Sequence, residues 1–284
     1  MPPRPVSIVG FGSGSPLSRI VLSRVAREHL LLGIVVPARR RSLDFLQRLR
    51  GHSPNPFRDI RAPILREDRL EGLNPDLFLV ASYPRILSPA TLARARLGGL
   101  NVHMAPLPRH RGPDPIFWTY MDDDSEAGVT VHWMDAGIDT GPIGAMHTIA
   151  LARGRPSREL YFELAEQAAE LVSKVLAQIA QGTLPRLPQP RETASYQSAK
   201  AQAAANVPFG TWPSERVWHV LRGLGDQFSG LVRDQSGVPL LHGQATTFQL
   251  TDAVRPGQID ITATGYGLHC RDGIVSLLRK GVDN

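Results

Sequence analysis

Asn101 and His103 stand two residues apart in LNVHMAPLPRHRGPDP, residues 100–115. On an extended strand, positions i and i+2 share a face. An amide and an imidazole therefore project together where an apolar run ends. An amide N–H can hold a developing oxyanion, and an imidazole can carry a proton. Pro106 and Pro108 stop the strand from continuing as a ladder member. Arg111-Gly112-Pro113 then makes a stiff turn, which keeps such a site preformed. A second cluster, MDAGIDTGPI over 134–143, places Asp135 and Asp139 in a glycine-rich loop after another strand-like run. A carboxylate near His103 would raise the basicity of the imidazole and fix its tautomer. Neither motif brings a nucleophilic Ser or Cys, so direct group transfer fits better than a covalent intermediate. Read one at a time, the same residues also fit hydrogen-bonded polar groups at a strand end and solvated loop carboxylates.

The elements that must position these residues follow from hydrophobic periodicity. VSIVGFG (6–12) reads as a buried strand ended by Gly, and 15–29 as a helix opened by Ser15-Pro16. LLLGIVVP (30–37), DLFLVASYP (76–84), GGLNVHMA (98–105) and AGVTVHWMDAG (127–137) read as further strands, and 157–182 is the clearest helix. Alternating strands and helices over 1–182 predict an α/β open, mostly parallel, Rossmann-like sheet, whose strand C-termini are where ligand sites form. The stretch 183–197 carries three prolines and reads as a linker. Beyond it, 198–284 offers a helix at 213–224 and short strand-like pieces between Gly and Pro turns, which predict a small β-barrel domain. GFGSGS (10–15) has the outline of a dinucleotide fingerprint but the wrong spacing. IVVPARR supplies no acid after the second strand, and Arg39 or Arg40 would have to meet a 2′-phosphate. A tight structural turn is the better reading.

Composition narrows the classes. A chain of 284 residues with 42% hydrophobic and 20% charged residues matches a soluble globular protein with a core. No apolar run reaches the length of a membrane span, and MPPRPVSIVGFG lacks the parts of a signal peptide. The single Cys270 leaves no internal disulfide framework and no cysteine zinc site. Cytoplasm is the natural compartment. His52, His110, His132, His147, His219, His242 and His269 lack ligand spacing, so no metal is expected, and they read as surface or packing side chains. The net charge of +6 fits an anionic ligand, nucleic acid, or simply an arginine-rich composition in which Lys174, Lys200 and Lys280 are the only lysines. The arginine-dense run 38–61 could touch phosphates, although such runs are more often a solvated face and loop.

Together, NVHMAPLPRHRG, GVTVHWMD, DAGIDTG and SYPRIL (82–87) resemble the motifs of the 10-formyltetrahydrofolate-dependent formyltransferase family. The resemblance covers 1–182 well. More weakly, the tail resembles the C-terminal barrel domain of methionyl-tRNA and related formyltransferases. It implies a catalytic domain at 1–182, a linker at 183–197 and a barrel-like domain at 198–284, with 10-formyltetrahydrofolate as co-substrate. Asn101 would hold the formyl oxygen. His103 would act as acid and base or stabilise the tetrahedral intermediate. Asp139 would accept from His103 and assist loss of the amine proton. Tyr83, Arg85, Ile86, Leu87, Asp135, Gly137, Ile138, Thr140 and Gly141 would bind the folate, and Met104, Pro106, Arg111 and Gly112 the acceptor. Met104-Ala105-Pro106 departs from the family's Ser-Leu-Leu-Pro, Pro84 replaces a loop Gly, and RGPDPIFW looks more like the small-molecule relatives. The expected acceptor is therefore a small amine such as an amino sugar or an ornithine-like amine. Initiator tRNA, hydrolysis of the formyl donor, and an inactive folate- or RNA-binding module are the alternatives. The tail could mediate a homodimer, and no membrane partner is expected.

Overall fold

The computed structural model describes residues 5–37, 55–225, 227–228 and 230–279. The arginine-dense stretch therefore lies outside the described residues over 38–54. In chain order the elements are β1 (Ser7–Gly12), α1 (Pro16–Glu28), β2 (Leu30–Val35), β3 (Ile64–Leu65), β4 (Leu77–Ala81), α2 (Pro89–Leu92), β5 (Gly99–His103), α3 (Pro115–Met121), β6 (Glu126–Trp133), β7 (Ile143–Ala150), α4 (Ser157–Gln181), α5 (Ala199–Ala204), α6 (Ser214–Leu224), β8 (His242–Leu250), β9 (Ile259–Ile261), β10 (Gly265–His269) and β11 (Gly273–Arg279). They divide between two compact units.

The first unit, within 1–112, 128–148 and 162–196, carries a seven-stranded sheet of order β3-β2-β1-β4-β5-β6-β7. β1 pairs in parallel with both β2 and β4, and β4 with β5, while β5 and β6 run antiparallel. The strand order reverses at β1, so the loops after β1 and β4 flank a topological switch point. Val9, Phe11, Phe78, Val80 and Leu87 share one buried core, with Phe11 set edge-on to Phe78 at 5.3 Å. The turn after β1 is structural. Ser15 Oγ caps α1 by accepting from the Ser18 N–H, and Gly14 adopts φ +86°. A Cβ on Gly10 would stand 2.6 Å from Leu22, so the glycine lets α1 lie close on the strand.

The second unit, within 113–127, 149–161 and 197–284, carries a separate, smaller four-stranded antiparallel sheet of order β8-β11-β10-β9, in the region where the tail predicts a barrel-like domain. Its other anchor is Tyr120, fully buried, stacked 5.0 Å from His219 and donating its hydroxyl to the Arg155 carbonyl at 2.6 Å. A Cβ on Gly223 of α6 would lie 2.1 Å from the Tyr120 ring. Ala in place of a Gly in the body of a helix normally adds about 1 kcal/mol of stability, and less in the last turn, where Gly223 sits. Here the ring has nowhere to go, so Gly223→Ala is expected to cost about 1–3 kcal/mol by overpacking, read as a lower midpoint in urea or thermal melts.

The predicted elements within the described residues match those observed, with two differences. The run 230–234 forms no strand, only an isolated bridge between Arg233 and Pro239. β3, β7 and the short helices α2, α3 and α5 have no counterpart in the sequence reading: β3 and the helices are too short to show a period, and the eight residues of β7 show no clean alternation. Among the described residues no helix is long and apolar enough to cross a membrane.

Candidate active site

β5 and β6 together build the site. Their register sets Asn101 opposite His132 and His103 opposite Thr130. Directly opposed residues share a face, so both histidines and the asparagine emerge on one side of the sheet. The loop after β6 brings Asp139 back to them. Asn101 Nδ2 donates to Asp139 Oδ1 at 3.1 Å and lies 3.1 Å from His132 Nε2. His132 Nδ1 is 2.9 Å from the Trp133 carbonyl, so that nitrogen carries the proton and Nε2 is free to accept the second amide hydrogen of Asn101. His103 Nε2 is 2.8 Å from the His110 carbonyl, which fixes the proton on Nε2 and the lone pair on Nδ1. Nδ1 faces Asp139 Oδ2 at 3.6 Å. That is longer than the hydrogen bond the resemblance implies, and it becomes an ion pair only when the imidazole is protonated.

Asp139 is held from several sides. Its Oδ2 accepts the Gly112 N–H at 2.9 Å, and its backbone sits in the left-handed region at φ +53°. Asp tolerates that region better than most residues, at some cost in strain. Burial works to raise its carboxyl, but the His132 and His103 rings and the Gly112 N–H outweigh it and hold the pKa down to about 2. Burial pushes the enclosed His103 imidazole below its ordinary pKa, with the Asp139 charge pulling the other way. At neutral pH the site thus presents an ionised carboxylate beside a neutral imidazole whose Nδ1 can take up a proton.

The remaining predicted residues fall in three places. In the loop after β6, Asp135 is exposed and closes its own turn, accepting from the Gly137 N–H at 3.0 Å and the Thr140 hydroxyl at 2.7 Å. A Cβ on Gly141 would lie 1.8 Å from the Trp133 carbonyl, so only glycine closes this loop against the end of β6. Ile138 projects from it, 39% exposed. In the loop after β4, the Tyr83 hydroxyl donates to Glu67 at 3.0 Å, Arg85 approaches the same carboxylate at 3.6 Å, and Ile86 is 69% exposed. Burial and the Glu67 charge push the Tyr83 phenol up to about 12. Leu87, by contrast, packs in the core. In the segment after β5, Met104 is buried and Pro106 half-buried. Arg111 Nε and Nη2 both donate to Gln189 Oε1, at 3.0 and 2.7 Å. The Leu107–Pro108 bond there is cis.

Sequence reasoning missed two contributors. His132, read as a packing side chain, is buried and within 3.4 Å of Asp139. Alternation along GVTVHWMD gives its face, but only the β5–β6 register sets it opposite Asn101. Gln189 lies in the proline-rich stretch, where no periodicity marks it. Among the described residues no group of three or more His, Cys, Asp or Glu side chains is placed to hold a metal ion.

The family described as formyl transferase matches residues 64–176. A methionyl-tRNA formyltransferase of Symbiobacterium thermophilum is 37% identical over 156 residues, covering 55% of this chain and 48% of that protein. One from Synechococcus is 32% identical over 215 residues, covering 74% of this chain and 66% of that protein. The chain thus spans about half to two thirds of these relatives. The solved structure of WlaRD, a sugar 3N-formyl transferase in the presence of dTDP and 5-N-formyl-THF, shares the fold with a TM-score of 0.72 and 16% identity, covering 99% of this chain and 100% of that one.

Proposed function

We propose that this chain, which belongs to the formyl transferase family, moves a formyl group from 10-formyltetrahydrofolate to the amine of a small-molecule acceptor. The observation that carries the reading is the convergence of Asn101, His103 and His132 from one face of β5 and β6 on Asp139 from the loop after β6, at 3.1, 3.6 and 3.4 Å from its carboxylate. The folate suits the loops beside them. Exposed Ile86 and Ile138 offer apolar faces to a flat ring, and Tyr83, Arg85 and the closed turn of Asp135, Gly137, Thr140 and Gly141 supply polar and backbone groups around it. Bound there, the folate supplies the formyl carbon on N10, and N10 regains a proton as the old C–N bond breaks.

The chain's own residues do the rest. An Asn101 amide hydrogen turns from His132 to the formyl oxygen and holds the negative charge that develops as the amine nitrogen adds to the carbon. His103 Nδ1 takes the proton leaving the amine and returns one toward N10. Asp139 stabilises the imidazolium formed in between. Met104, Pro106, Arg111 and Gly112 border the acceptor. The unit within 1–112, 128–148 and 162–196 carries the transfer, and it includes most of the proline-rich stretch that the sequence reads as a linker.

The small-amine acceptor is favoured by RGPDPIFW and by the sparse basic residues of the tail. A fold shared over the whole chain with a sugar 3N-formyl transferase accords with it. A second reading, initiator tRNA, is favoured by the names of the relatives. The test incubates the protein with 10-formyltetrahydrofolate and, in separate arms, amino sugars, ornithine-like amines, charged initiator tRNA, or no acceptor, following tetrahydrofolate and formylated product. Formylation of one small amine is the expected result. Formylation of tRNA alone overturns the acceptor class, and turnover without acceptor makes the protein a hydrolase.

A further inference from the structure

The stretch 185–196 runs as a strap across the two loops that make the site. At one end, Ile143 and Leu187 exchange backbone hydrogen bonds at 2.8 and 3.0 Å, the Trp133 indole donates to the Pro185 carbonyl at 3.1 Å, and Arg186 lies 3.7 Å over the Trp133 ring. At the other end, Ser195 N–H donates to Pro108 O at 3.1 Å, Arg111 N–H donates to Ser195 O at 3.0 Å, and His110 N–H donates to Ser195 Oγ at 2.8 Å. Between these ends stands Gln189, flanked by Pro188 and Pro190. A residue before proline is confined to extended backbone, so the side chain leaves the strap in a set direction.

All four capacities of the Gln189 amide are used. Nε2 donates to the Asp139 carbonyl at 2.8 Å and to the Gly141 carbonyl at 2.7 Å, while Oε1 accepts both N–H groups from Arg111. Only one orientation of the amide satisfies two carbonyls and a guanidinium at once. Gln189 therefore grips the backbone of Asp139, the residue held at φ +53°, and ties it to the loop that supplies Gly112 and the His110 carbonyl.

We infer that Gln189 is the positioning residue of this site, the one that sets the Asp139 carboxylate against His103 by clamping the 135–141 loop to the 107–112 loop. The inference rests on the formyl-transfer reading for its effect on rate, but not for its effect on His103. Titratable groups facing His103 are Asp139, His132 and His110. Moving the Asp139 charge away lowers the pH at which His103 takes a proton.

The test uses the full chain and two substitutions. Gln189→Met removes every bond. Gln189→Glu keeps the acceptors for Arg111 but offers no N–H to the two carbonyls. Both are expected to lower kcat for formyl transfer by about 10–100-fold, the scale of a misplaced catalytic group, with KM for the acceptor little changed. In Gln189→Met, the His103 ring followed by NMR is expected to titrate about half a unit or more lower than in the parent, with thermal melts confirming a folded chain. A purely structural strap would change the melt and leave this titration where it was. An unchanged His103 titration in folded Gln189→Met overturns the proposal. So does Gln189→Glu at parental kcat beside a slow Gln189→Met, which would place the effect in Arg111 alone. A parent protein with no formyl transfer sinks the functional reading, while the NMR arm still decides the role of Gln189.

Discussion

Asp139→Asn is expected to lower kcat for formyl transfer by about 10²–10⁴-fold, the usual worth of acid–base machinery, in a chain that still folds. Asn accepts left-handed backbone as readily as Asp, so the loop keeps its φ of +53° and its backbone bonds to Gln189. What goes is the charge 3.6 Å from His103 Nδ1 and one of the two carboxylate oxygens that accept from the Gly112 N–H and the Asn101 amide. Without that charge the imidazolium has no counterpart and forms at greater cost. His103→Ala is expected to fall by a similar factor, and the double variant hardly further, because groups acting as a unit are not additive. Steady-state kinetics on the single and double variants checks this, and losses that simply multiply would show that the two act separately.

The same substitution has a signature in stability. The Asp139 carboxyl titrates at about 2 in the folded chain, below the ordinary carboxylate value of 3.8. A depressed pKa adds stability that is fully present above the unfolded value and is lost as pH falls through the folded one. The span corresponds to about 2 kcal/mol. Urea melts between about pH 5 and about pH 2 should therefore show a steeper acid loss in the parent than in Asp139→Asn, and parallel curves would contradict the ionised, buried carboxylate.

Asn101→Ala is expected to cost about 10²–10³-fold in kcat, as does loss of one oxyanion donor in other acyl transfers, with KM for the folate nearly unchanged. Both Asn101 amide hydrogens are engaged in the structure, one by Asp139 and one by His132. Of the two acceptors, the His132 ring nitrogen gives up the hydrogen more cheaply than the Asp139 carboxylate does when an oxygen with growing charge competes for it. The interaction is thus made in the transition state more than in the bound ground state, which is why kcat and not KM should carry the loss. A raised KM with kcat intact would instead mean that Asn101 binds the donor uniformly.

The legible part of this site was the part that lies within single strands and turns. The spacing of Asn101 and His103 fixes their common face whatever the rest of the chain does. The glycine-rich run 135–141 announces a tight loop, although not which aspartate it delivers. Asp135 spends its carboxylate on Gly137 and Thr140, and Asp139 spends its own on Gly112 and Asn101. His132 needed the register between β5 and β6, which no local pattern encodes. Gln189 needed the path of an irregular segment, where neither period 2 nor period 3.6 applies. Fold class was legible for the same reason as the first pair, since β1, α1, β2, β4, β5 and α4 each carry their own periodicity.

The strap also dates the site within the life of the chain. Gln189 and Ser195 follow the 25-residue helix α4, whereas the loops they bind precede it. A ribosome adds about 5–20 residues per second, so the stretch between Asp139 and Gln189 takes about 3–10 s to make. During that interval the nascent chain holds the asparagine, both histidines and the aspartate without the clamp that sets them. On the formyl-transfer reading, catalytic competence therefore arrives late in synthesis, after most of the sheet has been made.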